Sequence, residues 1–151
     1  MTVTNGLRHL SAVIVLAVLS CADALAADHK VWMQGSGNQV MQFEPEFLKI
    51  AVGDTVTFMP EAAGHNVESI SGPEGSETWV GSLDRELTVT FSIEGLHAYE
   101  CPPHLEGGMV GLIQVGDATT GSDSISAADL PDKAVSRMKA LLAKAGIVAS
   151  N

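Results

Sequence analysis

The chain has 151 residues, of which 46% are hydrophobic and 17% charged, and its formal net charge is −10. That length suits one domain, and the composition is too apolar for a disordered chain. The acidity argues against nucleic acid or an anionic membrane as partner; it fits a basic partner, or simply solubility.

At the N-terminus, Arg8 and His9 form a short polar region, and residues 12–19 are an apolar run too short to span a bilayer. Ala24-Leu25-Ala26 then matches a small-x-small cleavage site. Residues 1–26 are therefore expected to be a cleaved export signal, with the mature chain starting at Ala27 and working in the periplasm. Leu19-Ser20-Cys21 offers a competing reading, in which Cys21 carries a lipid. With the signal gone, Cys101 is the single cysteine. An internal disulfide is then excluded, and a lone thiol in an oxidising compartment needs something to occupy it.

Losing the signal removes Arg8 and Asp23 together, so the mature chain keeps its charge. Residues 27–118 carry three bases (Lys30, Lys49, Arg85) against 14 acids, whereas Lys133, Arg137, Lys139 and Lys144 cluster near the C-terminus.

Between Val31 and Val115 the chain reads as short strands with turn punctuation. Residues 47–51 alternate, Gly53-Asp54 marks a turn, and Thr55-Val56-Thr57-Phe58-Met59 favours a strand. Leu87, Val89 and Phe91 alternate with Thr88 and Thr90, as in a half-buried strand. After the Glu94-Gly95 turn, residues 97–101 and 110–115 supply two more. The pattern predicts an all-β, antiparallel sandwich over residues 27–118. Residues 117–125 read as a linker. Pro131-Asp132 then opens a helix in which Val135, Met138, Leu141, Leu142 and Ala145 recur at helical spacing, with Gly146 as the stop. Residues 119–151 are thus a linker and a helical tail packed on the sandwich.

One constellation carries chemistry. Cys101, His104 and Met109 follow one another in Cys-x-x-His-x4-Met, and Gly64-His65-Asn66 lies upstream. Two imidazoles and a thiolate with a weak axial thioether are the ligand set of a blue-copper electron-transfer site. Cys101 ends one predicted strand and Met109 precedes the next. Pro102 and Pro103 stiffen the loop between them, and Gly107 and Gly108 permit its return. Taken singly, His65 reads as a polar strand end, Met109 as core and Cys101 as an inert buried thiol. Together they predict one copper ion cycling between Cu(I) and Cu(II).

Three other readings share these residues. A copper-delivery protein would use the same ligands without rapid electron transfer. A hydrolase would need Cys101 free of metal and an orienting group for its histidine, and the loop offers none. Zinc accepts Cys and His, but a thioether is a poor zinc ligand.

The same motif resembles the ligand loop of the pseudoazurin group of the cupredoxin (blue copper) family. Gly64-His65-Asn66-Val67, residues 52–58 (Val-Gly-Asp-Thr-Val-Thr-Phe), Phe43-Glu44-Pro45, and Val110-Gly111 with Gln114-Val115-Gly116-Asp117 are similar to that group too. The resemblance covers most of residues 30–146. It implies an eight-stranded Greek-key sandwich, His65, Cys101, His104 and Met109 as copper ligands, and a monomeric periplasmic electron shuttle that is not an enzyme. Met41 resembles a position packed near the second ligand histidine; plain core packing is the alternative.

The Asn66 amide could donate to the Cys101 sulfur, and its side chain could tie the two ligand segments together. Pro103 has no N–H to give. His29 and His97 belong to no motif; His29 is expected in solvent, and His97 on the surface or hydrogen-bonded. The chain also departs from the family. Leu105-Glu106-Gly107 replaces the small or apolar residues common there, and the lysines that usually ring the exposed ligand histidine are missing. The family's familiar partner, a copper nitrite reductase, is thereby put in doubt. A partner with a basic docking surface, such as a c-type cytochrome or another reductase, fits better.

Overall fold

The computed structural model describes residues 25–147. In chain order it forms β1 (Asp28–Gln34), β2 (Gln42–Glu44), β3 (Phe47–Ile50), β4 (Thr55–Pro60), β5 (Glu68–Ser71), β6 (Leu87–Thr90), β7 (Gly95–Glu100) and β8 (Val110–Val115). Two helices follow, α1 (Ser122–Ser126) and α2 (Asp132–Lys144). The strands make two four-stranded sheets, ordered β2-β1-β4-β6 and β3-β8-β7-β5. The sandwich with C-terminal helices is the expected class. The expected cleavage region and Cys21 lie outside the described residues, apart from Leu25 and Ala26.

Between the sheets lies the main core. Val31, Met33, Val56 and Phe58 from one sheet meet Tyr99, Ile113 and Val115 from the other. Tyr99 sits among aromatic rings, 4.7 Å from Phe43 and 5.0 Å from Phe58 between centroids. The outer face of the second sheet is also covered. Leu96, Ala98, Val110 and Leu112 pack there against Ile125, Ala134, Met138 and Leu141. This explains a contrast in the sequence: β8 is buried on both faces and reads as a nearly unbroken apolar run, whereas β6 has one wet face and alternates.

Three expectations need correction. The sandwich is not wholly antiparallel, because β1 pairs with β4, and β3 with β8, in parallel. Short connections give antiparallel neighbours only within one sheet. Here the chain crosses to the second sheet for β3 and returns for β4. Next, β1 starts at Asp28, before the apolar pattern begins, because its backbone pairs Asp28–Lys30 with Thr55–Thr57. Finally, the stretch read as linker contains α1, whose Ile125 is buried beneath α2. A single apolar residue in five is too little for periodicity to show.

The face of α2 is close to expectation, with Ala134 buried fully and Val135 only partly. Gly146 ends the helix in the left-handed region, φ +86°. Glu46 receives Lys144 at 2.8 Å and Arg137 at 3.9 Å, so two of the C-terminal bases are paired.

Candidate metal centre

Cys101 directly follows β7, and its amide still donates to the Met109 carbonyl at 3.0 Å. Between these two residues the chain forms one 3₁₀ helix, Pro102–Gly107, in place of an irregular loop. Cys101 is its N-cap, and the prolines fill the first turn, where a missing N–H costs nothing. The His104 amide donates to Cys101 O at 2.9 Å, and the Met109 amide to His104 O at 3.2 Å. Gly108 reverses the chain at φ +89°, and a Cβ there would meet the Lys133 carbonyl at 3.1 Å. Helix α2 thus buttresses the loop that carries three of the candidate ligands.

His65 comes from the segment between β4 and β5. Asp84 holds that segment: its Oδ1 accepts from the Gly64 amide at 2.6 Å and the His65 amide at 3.1 Å, and its own amide donates to His65 O at 2.8 Å. The imidazole is fully buried, and Nε2 lies 2.9 Å from Gly35 O. A carbonyl only accepts, so Nε2 carries the proton and Nδ1 is left with a free lone pair.

That lone pair faces the thiol. Cys101 Sγ is 3.8 Å from His65 Nδ1 and 3.3 Å from His104 Nδ1. The ligand atoms of the three residues lie within 4.8 Å of one another. Cys101, His65 and Met109 are fully buried, whereas His104 keeps a partly exposed edge. All four sequence-predicted residues are therefore at one end of the sandwich, Met109 through its backbone bonds to both Cys101 and His104.

Burial pushes the Cys101 thiol up, with Glu100 and Glu68 adding to the effect; the Asn66 and His104 amides work against it. Burial, and then neighbouring His65, hold His104 below the ordinary imidazole value. A nucleophilic cysteine is favoured by the opposite shift. A cation among two neutral imidazole lone pairs and a sulfur is what would compensate a thiolate here. The donor set fits a soft ion.

The comparisons with known proteins agree. Residues 29–116 match the model for copper binding proteins of the plastocyanin/azurin family. Pseudoazurin from Paracoccus pantotrophus is 40% identical over 141 residues, covering 91% of this chain and 97% of that protein. The chain belongs to the pseudoazurins, within that copper-binding family. Among solved structures, native pseudoazurin from Hyphomicrobium denitrificans superposes with a TM-score of 0.69 at 34% identity, covering 81% of this chain and 99% of that one. Pseudoazurin from Methylobacterium extorquens AM1 gives 0.71 at 30% identity, covering 78% and 98%. Pseudoazurins are electron carriers, and the cofactor is one copper ion.

Around the site the expectations divide. The Asn66 amide does point at Cys101 Sγ, at 3.5 Å. Its side chain does not tie the ligand segments together: Nδ2 donates to Glu68, and Oδ1 accepts from the Val67 amide. Met41 packs on the main core, close to Gly35. His29 is not free in solvent, since Nε2 bonds Asp54 at 2.9 Å. His97 is buried and donates Nε2–H to Ile93 O at 2.9 Å; neither joins the site.

Gly35 and Asp84 were not foreseen. Gly35, at φ +103°, has no room for a Cβ beside the Val40 carbonyl. Asp84 is the single non-glycine residue with positive φ among the described residues, a conformation that Asp tolerates better than most.

Proposed function

We propose that this chain is a periplasmic one-electron carrier and not an enzyme, with His65, Cys101, His104 and Met109 as the ligands of its copper. The observation that carries this reading is the buried Cys101 sulfur facing two imidazole Nδ1 atoms at 3.3 and 3.8 Å. Copper held there supplies the one-electron couple. The protein's own residues do the rest. Gly35 fixes the His65 tautomer, Asp84 fixes its backbone, and the Asn66 N–H steadies the sulfur. Burial of Cys101, His65 and Met109 keeps water out. His104, alone of the four, reaches toward solvent and marks the exit for the electron.

The partner we infer is a redox protein with a basic docking face, such as a c-type cytochrome or a reductase, met by a monomeric carrier. Glu106 is two residues from His104 and lines a cleft with Asp129 and Asp132. Glu68 and Glu100 pair across β5 and β7 on the approach to Cys101. Such a face repels acidic partners. No described helix is long and apolar enough to cross a membrane. The export signal, and with it the periplasmic address, is read from the sequence of residues 1–26.

The test is to load the mature chain with Cu(II) and record visible and electron-paramagnetic-resonance spectra. An intense thiolate-to-copper band with narrow hyperfine splitting, lost in Cys101→Ala, is expected. A pale, ordinary cupric spectrum would overturn the assignment. Reversible redox cycling with a basic partner separates carrier from delivery protein.

A further inference from the structure

We propose that cleavage between Ala26 and Ala27 builds an ion pair, the new α-ammonium of Ala27 against the carboxylate of Asp54. Two independent features meet at this bond. One is the Ala24-Leu25-Ala26 cleavage pattern. The other is where the chain first becomes fixed. Leu25 is 92% exposed, and Ala26 is exposed as well. At Ala27 the backbone is caught twice, its N donating to Asp54 Oδ1 at 2.8 Å and its O accepting from the Thr55 amide at 2.9 Å. Strand β1 begins one residue later. The cleavable bond is thus exposed, and the nitrogen it releases is already seated on a carboxylate.

Asp54 is built as a receptor for such a charge. It is 6% exposed, and its Oδ2 accepts from His29 Nε2 at 2.9 Å and the Ala51 amide at 3.0 Å. In the uncut chain the Ala27 donor is a neutral amide. After cleavage the same nitrogen carries a full positive charge at neutral pH, so a bond in which only the carboxylate was charged becomes an ion pair. The titratable groups facing it are Asp54 and, behind that carboxylate, His29 of β1. Asp28 is adjacent but exposed and already bonded by the hydroxyls of Thr55 and Thr57. The pair would pin the start of β1 to the turn that opens β4. Removal of the signal then tightens the fold, and only the processed chain reaches full stability.

The sign of the pH dependence follows. The amine gains a partner on folding, so its folded pKa rises. Its contribution is complete below the ordinary α-amino value of about 7.7–8.0 and disappears as pH climbs past the folded value. The test compares the copper-loaded chain starting at Ala27 with one retaining Leu25-Ala26, each with Asp54 or Asp54→Asn. The Ala27 amine is titrated by NMR and Tm is followed at pH 7 and pH 10.5. A rise of at least one unit in the amine pKa is expected, a tenfold change in proton affinity, absent in Asp54→Asn. The extended chain should melt lower at pH 7 but equally at pH 10.5. An ordinary amine pKa, or equal Tm values at pH 7, would overturn the pair. Should Asp54→Asn fail to fold, the two chain lengths at two pH values still decide. An exported protein whose mass places its first residue elsewhere than Ala27 would overturn the cleavage. Each of these outcomes is independent of which residues hold copper.

Discussion

Cys101 caps the 3₁₀ helix in which Pro103 takes the second position, where an N-cap side chain ordinarily finds an amide donor. Proline leaves that place empty, while the Asn66 amide donates to the sulfur at 3.5 Å. Pro103→Ala restores an N–H aimed at Sγ. A hydrogen bond to a charged group contributes about 1.5 kcal/mol, or about 60 mV for a one-electron couple. It stabilises the more electron-rich thiolate and so favours Cu(I). The reduction potential of the copper-loaded variant should rise by that order in voltammetry. An unchanged or lower potential would show that the new amide misses the sulfur.

Gly111 and Tyr99 are opposed across β7 and β8, and a Cβ at Gly111 would overlap the Tyr99 ring. That ring is fully buried between Phe43 and Phe58, with nowhere to retreat. Gly111→Ala should therefore destabilise by about 1–3 kcal/mol, the usual cost of overpacking. Urea unfolding measures it. A variant as stable as the parent would mean that the aromatic cluster has slack the packing does not suggest.

What the sequence makes legible here follows from distance along the chain. Cys101, His104 and Met109 lie within nine residues, so their convergence needs only one loop, and the alternation of β6 shows its single wet face. Asp84 and Gly35 are hidden for the converse reason. They reach His65 from 19 and 30 residues away, Asp84 through a carboxylate that the chain carries at many positions and Gly35 through a carbonyl that every residue has. The parallel pairing of β1 with β4 is equally silent, because apolar alternation records which face is buried and not which strand lies alongside. His29 reads as a solvent-exposed residue because its partner Asp54 is 25 residues off.

Helix α2 is held by two kinds of contact, and magnitudes separate them. Leu141 is fully buried in the outer core, and truncating such a residue costs about 2–5 kcal/mol. Glu46 joins Lys144 and Arg137 at a half-exposed surface, where pairs contribute about 0–1 kcal/mol. Leu141→Ala should lower the urea midpoint far more than Glu46→Gln does. The reverse order would make electrostatics the main anchor of the tail.

Asp54 should set the acid limit of the fold. The Ala27 amide, then His29 and the Ala51 amide, draw its pKa down from 3.8 to about 2. A carboxyl depressed in the folded state stabilises above its unfolded pKa and loses that contribution as pH falls through the folded one. The window is thus about pH 4 down to about pH 2. Asp54→Asn should lower Tm at pH 7 and flatten its decline over that window. A parallel decline in both proteins would assign acid unfolding to other carboxylates.

Glu106 offers the most direct probe of the partner. It is exposed, lies two residues beyond His104, and faces a cleft with Asp129 and Asp132. With a basic c-type cytochrome, the second-order electron-transfer rate should fall steeply between 10 mM and 150 mM salt, as the Debye length shrinks from about 30 Å to about 8 Å. Glu106→Lys should slow transfer several-fold at low salt and shallow the salt dependence, while leaving the visible spectrum unchanged. Removing Asp129 and Asp132 together should extend the effect, because the cleft would lose its remaining charge. Rates indifferent to ionic strength, or a faster Glu106→Lys protein, would point instead to an apolar or acidic docking face and remove the case for a basic partner.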